Sequence, residues 1–432
     1  MTAAETVLEV RDLHTHFEVG GGLLTRGAAV VRAVDGVSFD VKRGEIFGLV
    51  GESGSGKTTL GRTILGLIAA TSGEILWKGR DLAQLAEREL RPLRRRLAMI
   101  FQDPNASLNP AMTVGQGVGH PLRIHGITSN RAETRRRTAE MLERCGLAPA
   151  DRFLDTYPED LSGGQKQRAV IARALITEPE LVVADEPVAA LDMSVRAKVL
   201  ELMLDLQKDL GLTYLYITHD LASGKFLCDR IGILYLGQMV EWGPSDAVYD
   251  DPQHPYTQAL LDAIPLPDPA RRDRDRQLPR GEIPDAVYPP AGCRFHPRCP
   301  QAFEVCGWEG RDLVDALEER WTQVDEDTFE RELGLVGTLG DAEVDRTEVR
   351  FAAAERAGDL ASWLRAHSQE LPTSVASAIT DISTENGAVV VRFGAGPEPG
   401  LQTVAGRQVA CHLHGVVVRP DRDHVGDPTQ LS

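Results

Sequence analysis

The chain contains no apolar run of about 18 residues or more, the length a helix needs to cross a bilayer. Its amino terminus, Met1-Thr2-Ala3-Ala4-Glu5-Thr6, has no basic region leading into an apolar stretch, so no secretory leader is expected. Together these absences predict a chain kept in the cytoplasm, with any membrane role confined to the surface. Positive charge is scarce: 47 Lys and Arg face 64 Asp and Glu, a formal net charge of −17. That balance excludes a broad surface for nonspecific nucleic-acid binding, which depends on clustered cations. Nearly all of the basic residues are arginine, lysine being rare. Two readings of this composition stand side by side. One is a salt-rich cytoplasm, where a carboxylate-dense surface stays hydrated and its self-repulsion is screened. The other is an arginine-favouring, GC-rich genome combined with an acidic insertion. No segment repeats at a fixed period, and no two cysteines have the C-x2-4-C spacing usual in structural zinc sites.

What is present suits a folded protein. The 432 residues, 42% of them hydrophobic, suffice for two or three domains with their own cores. From Val7 to about Leu261, short β-type runs alternate with longer helical ones, as in a mixed or parallel sheet flanked by helices. The clearest strands expected are residues 45–50, 181–184 and 213–217, and the clearest helix is 193–210, which ends before Gly211. Residues 1–263 therefore read as one α/β domain. Residues 264–290 turn to proline and paired charges, an extended connector, and the stretch 264–306 ends in a cysteine-rich extension. Residues 307–407 form an acidic insertion of α+β character, helical at 312–321 and 348–367 and strand-like at 387–394. A return segment, 408–432, carries a further cysteine. Trp308, Trp321 and Trp363, with periodic apolar residues, predict that the insertion is a folded module. Of the six cysteines, Cys145 and Cys228 stand alone in apolar surroundings and read as buried small hydrophobes.

The motif Gly51-Glu52-Ser53-Gly54-Ser55-Gly56-Lys57-Thr58-Thr59 fits the phosphate-binding loop G-x-x-x-x-G-K-[ST], after a β-type run and opening a helical one. Glycines let the backbone wrap closely, so that N–H groups at Gly51, Ser53, Gly54, Ser55 and Gly56 and the helix start face phosphates. Lys57 would reach the terminal phosphates, and the hydroxyl of Thr58, next to Thr59, would bind Mg2+. Leu181-Val182-Val183-Ala184-Asp185-Glu186 is a buried-strand run ending in two carboxylates: Asp185 for magnesium and Glu186 as general base toward an attacking water.

Leu161-Ser162-Gly163-Gly164-Gln165 resembles the LSGGQ signature of ATP-binding cassettes, and lies between the other two motifs as in that family. Phe101-Gln102-Asp103 resembles the Q-loop, Ala190-Leu191-Asp192 the D-loop and Thr218-His219-Asp220 the histidine switch. The resemblance implies the ABC-type P-loop fold, with a helical signature subdomain at about 103–180. It also implies two cassettes closing head to tail on two ATP molecules, with Ser162, Gly163, Gly164 and Gln165 contacting the nucleotide held by the partner. His219 would then contact the γ-phosphate, Gln102 would join Thr58 and Asp185 around Mg2+, and Asp192 would serve the D-loop. Phe17 resembles the aromatic residue that stacks on adenine, and equally suits a core position. The D-loop departs from the usual Ser-Ala-Leu-Asp in having Ala189 first. Retention of Glu186 and His219 predicts a hydrolysing enzyme.

The tail narrows the resemblance. His254-Pro255-Tyr256-Thr257 and Gly292-Cys293-Arg294-Phe295-His296-Pro297-Arg298-Cys299-Pro300 resemble the carboxy-terminal extension of oligopeptide/dipeptide importer ATPases. This implies a peripheral motor at the cytoplasmic face, a second and non-identical cassette subunit, two transmembrane permeases and an extracytoplasmic solute-binding protein. Cys293, Cys299, Cys306 and Cys411 suit a [4Fe–4S] cluster, which members of that branch can carry, or Zn2+, or free thiols. His296, His412 and His414 are alternative zinc ligands. Two other classes are carried alongside: a soluble cassette ATPase of translation or DNA repair, and a regulatory subunit that binds nucleotide without turnover.

Overall fold

The computed structural model describes residues 5–19, 29–263, 279, 282–345, 347–371, 373–394 and 396–415. The connector expected at 264–290 lies largely outside them, as does the return segment beyond 415. The chain forms two compact units, Met1–Asp251 and Pro252–Ser432.

The first unit contains strands β1 (Thr6–Val19), β2 (Ala29–Lys42), β3 (Ile46–Val50), β4 (Ser72–Trp77), β5 (Arg80–Asp81), β6 (Leu97–Ile100), β7 (Leu181–Asp185), β8 (Thr213–Thr218), β9 (Arg230–Tyr235) and β10 (Gln238–Pro244). An antiparallel sheet has the order β2-β1-β4-β5, and the central sheet runs β10-β9-β3-β8-β7-β6. Its inner strands are parallel, β3 lying between β8 and β9 and β7 between β6 and β8.

Residues alternate between faces along a strand, and a parallel sheet covered on both sides needs apolar residues on both. One face sends Val182, Ala184, Tyr214 and Tyr216 into a core shared with the helices Val114–Ile124, Arg131–Arg144, Gly163–Leu175 and Met193–Leu210. The other sends Leu181, Val183, Leu215 and Ile217 into a core with β1, β2, β4 and the helix Lys57–Ile64. The segment between β6 and β7 is helical, from Pro104–Ser107 to Gly163–Leu175. Cys145 and Cys228 are buried and free, burial pushing the Cys145 thiol up to about 12.

In the second unit the helix Pro255–Asp262 opens on His254, whose Nδ1 accepts from the Tyr256 N–H at 3.0 Å. His254 and Tyr256 lie against Phe295, with ring centroids 6.0 and 5.3 Å apart, and Gln301 donates to Gln258 at 3.2 Å. These contacts explain why the division between units falls at Asp251/Pro252, whereas the change in composition begins only after residue 263. Strands β11 (Glu343–Val344), β12 (Glu348–Ala352), β13 (Ile379–Glu385) and β14 (Ala388–Phe393) form an antiparallel sheet in the order β11-β12-β14-β13. The helices Gly310–Gln323, Glu326–Val336 and Ala357–His367 join it around a core that includes Leu313, Leu317, Val349, Phe351, Leu360, Val389 and Val391. The hairpin of β15 (Gln402–Val404) and β16 (Arg407–Val409) follows.

The expected helix over 348–367 is corrected at its first third. Glu348–Ala352 is a strand paired with β14, because Val349 and Phe351 alternate inward while Glu348 and Arg350 point away; the helix begins at Ala357.

Among the described residues no helix is long and apolar enough to cross a membrane.

Candidate nucleotide site

Four parallel strands deliver the expected chemistry to one edge of the central sheet. β3 ends at Val50 and runs into Gly51; β6 ends at Ile100, two residues before Gln102; β7 ends at Asp185, before Glu186; β8 ends at Thr218, before His219. Ligands of open α/β sheets bind beyond these carboxyl ends.

The loop after β3 is packed too closely for side chains. A Cβ on Gly51 would lie 2.2 Å from the Leu234 carbonyl oxygen, and one on Gly56 2.0 Å from that of Ala33. Gly56 also has φ 100°, open to glycine at little cost, and from there the helix Lys57–Ile64 starts. Gly237 pins the loop by donating from its N–H to the Ser55 carbonyl at 2.9 Å. Lys57 folds into the loop, its Nζ donating to the carbonyls of Gly51 and Glu52 at 2.8 Å and to Ser55 Oγ at 3.2 Å. Burial holds the Lys57 ammonium below its ordinary pKa, against the pull of Glu186 and Asp185. This is an ammonium kept poorly solvated beside a nest of N–H groups, a setting that strengthens its attraction for phosphate.

Thr58 Oγ1 donates to Asp185 Oδ1 at 2.9 Å. Asp185 is 1% exposed and its Oδ2 is buried without a hydrogen-bond partner. Burial raises the Asp185 carboxyl above the usual range, with the Thr58 hydrogen bond opposing the shift. A hydroxyl, a carboxylate and an unsatisfied buried oxygen fit a hard divalent cation such as Mg2+.

Glu186, at φ 46°, has its carboxylate held on both sides: Gln102 Nε2 donates to Oε2 at 3.0 Å, and His219 Nδ1 lies 3.0 Å from Oε1. Gln102 thus reaches Glu186, next in sequence to the Asp185 with which it was grouped from sequence. Phe17 is 39% exposed on β1, a surface position and not a core one.

Ser162 caps the helix Gly163–Leu175. Its Oγ accepts from the Gln165 N–H at 3.3 Å, and Gln165 Oε1 accepts from the Ser162 N–H at 2.9 Å. Gly164 touches the next helix, since a Cβ there would lie 2.6 Å from Val195 Cγ1. Asp192 caps that helix, Met193–Leu210, accepting from the N–H groups of Ser194 and Val195 at 3.1 and 3.0 Å. These hydrogen bonds, from Val195 first, hold its carboxyl below the usual range.

The four carboxy-terminal cysteines are buried and none is in a disulfide. Burial pushes the Cys293 thiol up, and Cys306, Cys411 and Cys299 add to the shift. Tetrahedral bonds of about 2.3 Å to one ion place sulfurs about 3.8 Å apart. Among the described residues no three of these sulfurs lie within 4.8 Å of one another. The histidines weighed as ligands face carbonyls: His296 Nδ1 that of Cys293 at 2.8 Å, His412 Nε2 that of Pro397 at 2.9 Å and His414 Nε2 that of Gln253 at 3.0 Å.

Residues 34–189 match the ABC transporter family, and residues 240–306 match the oligopeptide/dipeptide transporter, C-terminal region. A putative peptide import ATP-binding protein of Brucella ovis is 50% identical over 300 residues, 69% of this chain and 91% of that protein. The chain belongs to this family of ABC transporter ATP-binding proteins. The oligopeptide transport ATP-binding protein AppF of Bacillus subtilis is 47% identical over 313 residues, covering 71% of this chain and 93% of its own. Among solved structures, a post-hydrolysis dimer of the ATP-binding cassette MJ0796 bound to ADP and Pi has a TM-score of 0.50 at 30% identity. It covers 55% of this chain and 98% of that one.

Sequence reasoning on this ABC ATPase missed the turn at Gly237, which carries no motif and meets the loop only through the backbone. It also missed His14 and His16 on β1 and Asp35 on β2.

Proposed function

We propose that this chain is the ATP-hydrolysing motor subunit of an importer for di- or oligopeptides or a related solute. The observation that carries hydrolysis is the Glu186 carboxylate, held between Gln102 and His219 and next in sequence to the Thr58-bonded Asp185. Glu186 takes a proton from the attacking water as that oxygen bonds to the γ-phosphorus, the bond to the β–γ bridging oxygen breaks and ADP departs. Lys57, Thr59 and the loop N–H groups at Gly51, Ser53, Gly54, Ser55 and Gly56 hold the phosphates, Thr58, Gln102 and Asp185 line the magnesium side, and His219 orients the water. Mg2+, when bound, neutralises charge developing on the phosphate oxygens.

Ser162, Gly163, Gly164 and Gln165 act on the ATP of a second cassette, which in this reading is a non-identical subunit, and Asp192 shapes the helix beside them. Phe17 offers its exposed ring to adenine. The chain sits on the cytoplasmic face of the membrane against two permeases served by an extracytoplasmic solute-binding protein. The names of the relatives and the match over 240–306 support the importer reading over a soluble cassette ATPase.

Cys293, Cys299, Cys306 and Cys411 hold a [4Fe–4S] cluster in this reading. Each iron of the cluster takes its own thiolate, and, beyond burial, Cys306, Cys411 and Cys299 stand near enough to Cys293 to raise its pKa. Visible absorbance and acid-labile sulfide should disappear on Cys299→Ser; zinc in the wild type without either would contradict the cluster.

Purification of the tagged chain from native membranes tests the importer reading. Recovery with two membrane-spanning subunits is expected, and recovery with soluble partners only would overturn it.

A further inference from the structure

We infer that His14, His16 and Asp35 form a site for a borderline divalent transition metal such as zinc, separate from the phosphate site and from the cysteines. Each of the three offers a ligand atom, a ring nitrogen or a carboxylate oxygen, and these lie within 4.8 Å of one another. Asp35 Oδ1 is 2.8 Å from His14 Nδ1 and 3.3 Å from His16 Nε2. Ligand atoms on a tetrahedron with bonds of about 2.0 Å to nitrogen and oxygen stand about 3.3 Å apart, so these separations need little adjustment to accept an ion.

The strand pairing creates this arrangement. His14 and His16 are two apart on β1 and share a face, while Thr15 between them turns inward to Thr63. Asp35 on β2 is the Cα partner of His14. Register shifts on either side, between Val10 and Leu13 and between Thr15 and His16, bring His16 back toward the same carboxylate. The side chains of His14, His16 and Asp35 are 15%, 24% and 10% exposed, sheltered but open to an entering ion.

A fourth residue completes the pattern. Asp12 Oδ1 stands 3.3 Å from His14 Nε2, so the ring nitrogen not facing Asp35 has a carboxylate of its own. A carboxylate on the far nitrogen fixes the tautomer and raises the basicity of a ligating imidazole. Arg32 Nη1 is 3.9 Å from Asp35 Oδ2, the oxygen away from the rings. Two imidazoles and a carboxylate favour zinc, cobalt, nickel or copper over magnesium, and three protein ligands leave a position for water. The Asp35 N–H donates to the Gly237 carbonyl at 2.9 Å, and Gly237 in turn donates to Ser55. The ion would therefore sit two backbone hydrogen bonds from the phosphate loop.

The test titrates the purified full-length chain, freed of loosely held metal with EDTA, with Co2+. Nitrogen and oxygen ligation gives d–d absorption without a thiolate charge-transfer band, which separates this site from the cysteines. The wild type is expected to take up one such equivalent at micromolar cobalt. His16→Ala and Asp35→Asn should each abolish it, and Asp12→Asn, which keeps all three ligands, should weaken it about 10–100-fold. Thermal melts of each variant report whether the fold is retained, so that a loss of binding is read only from folded protein. Absence of that equivalent in the wild type, or its persistence in His16→Ala and Asp35→Asn, would overturn the site and leave a hydrogen-bonded triad.

Discussion

His219 Nδ1 lies 3.0 Å from Glu186 Oε1, while the other carboxylate oxygen accepts from Gln102. The histidine is 57% exposed on its side chain and the glutamate 15%, so the imidazole is the solvent-facing member of the pair. His219→Ala should slow ATP turnover about 100-fold, the scale of a lost general acid–base or water-orienting group, while leaving ATP affinity nearly unchanged. Steady-state phosphate release beside equilibrium nucleotide binding separates the two effects.

Asp185 is a buried carboxylate whose folded pKa is raised by burial. For such a group the unfavourable charge appears as pH rises through the folded pKa, so at neutral pH the ionised form opposes folding of the nucleotide-free protein. A bound cation offsets that cost. Asp185→Asn should therefore raise the Tm of the nucleotide-free chain, and the extra stabilisation that MgATP gives over ATP with EDTA should vanish. Melting curves in the three conditions check both signs.

Gly164 has no room for a methyl group, because Val195 occupies the space. Gly164→Ala must shift the Val195 side chain or move the signature helix off the helix Met193–Leu210, and turnover should fall about 10-fold, since small misplacements of positioning groups carry large rate losses. Binding at the chain's own phosphate loop should persist. Gly164→Ala/Val195→Ala, which removes the clash, should recover part of the loss in the same assay.

Arg230 ties the two sheets of the first unit together. Its guanidinium pairs with Asp40 and Glu45 and lies over the rings of Phe47 and Trp242, with centroid distances of 5.4 and 5.5 Å. Burial opposes its charge, but the hydrogen bonds it donates to Glu45 and Asp40 prevail and raise its pKa. Arg230→Gln leaves the buried Glu45 uncompensated and should cost about 3 kcal/mol of stability. Urea unfolding measures it.

The legible parts of the molecule were those in which local sequence carries the physics. The run 181–184 ends in Asp185 and Glu186 because a buried parallel strand must be apolar until it reaches the site, and the observed strand is Leu181–Asp185. The helix over 193–210 was equally plain, with Asp192 before it and Gly211 after it. Pairing between distant segments was hidden. The strand at Glu348–Ala352 acquires its state from β14, about 40 residues on, and read as helix because alanines follow it. His14, His16 and Asp35 were invisible for the same reason, the register shifts that gather them being a property of two strands together. Gln102 was recognised by motif, but its reach to Glu186 depends on how β6 sits beside β7.

The central claim, that hydrolysis centred on Glu186 drives solute import, is tested most directly in cells producing Glu186→Gln in place of the wild-type chain. Uptake of a labelled oligopeptide is measured alongside the amount of the variant recovered with membranes. The account predicts that uptake falls to background while the variant remains membrane-bound and retains ATP. Uptake at the wild-type rate in those cells would contradict it.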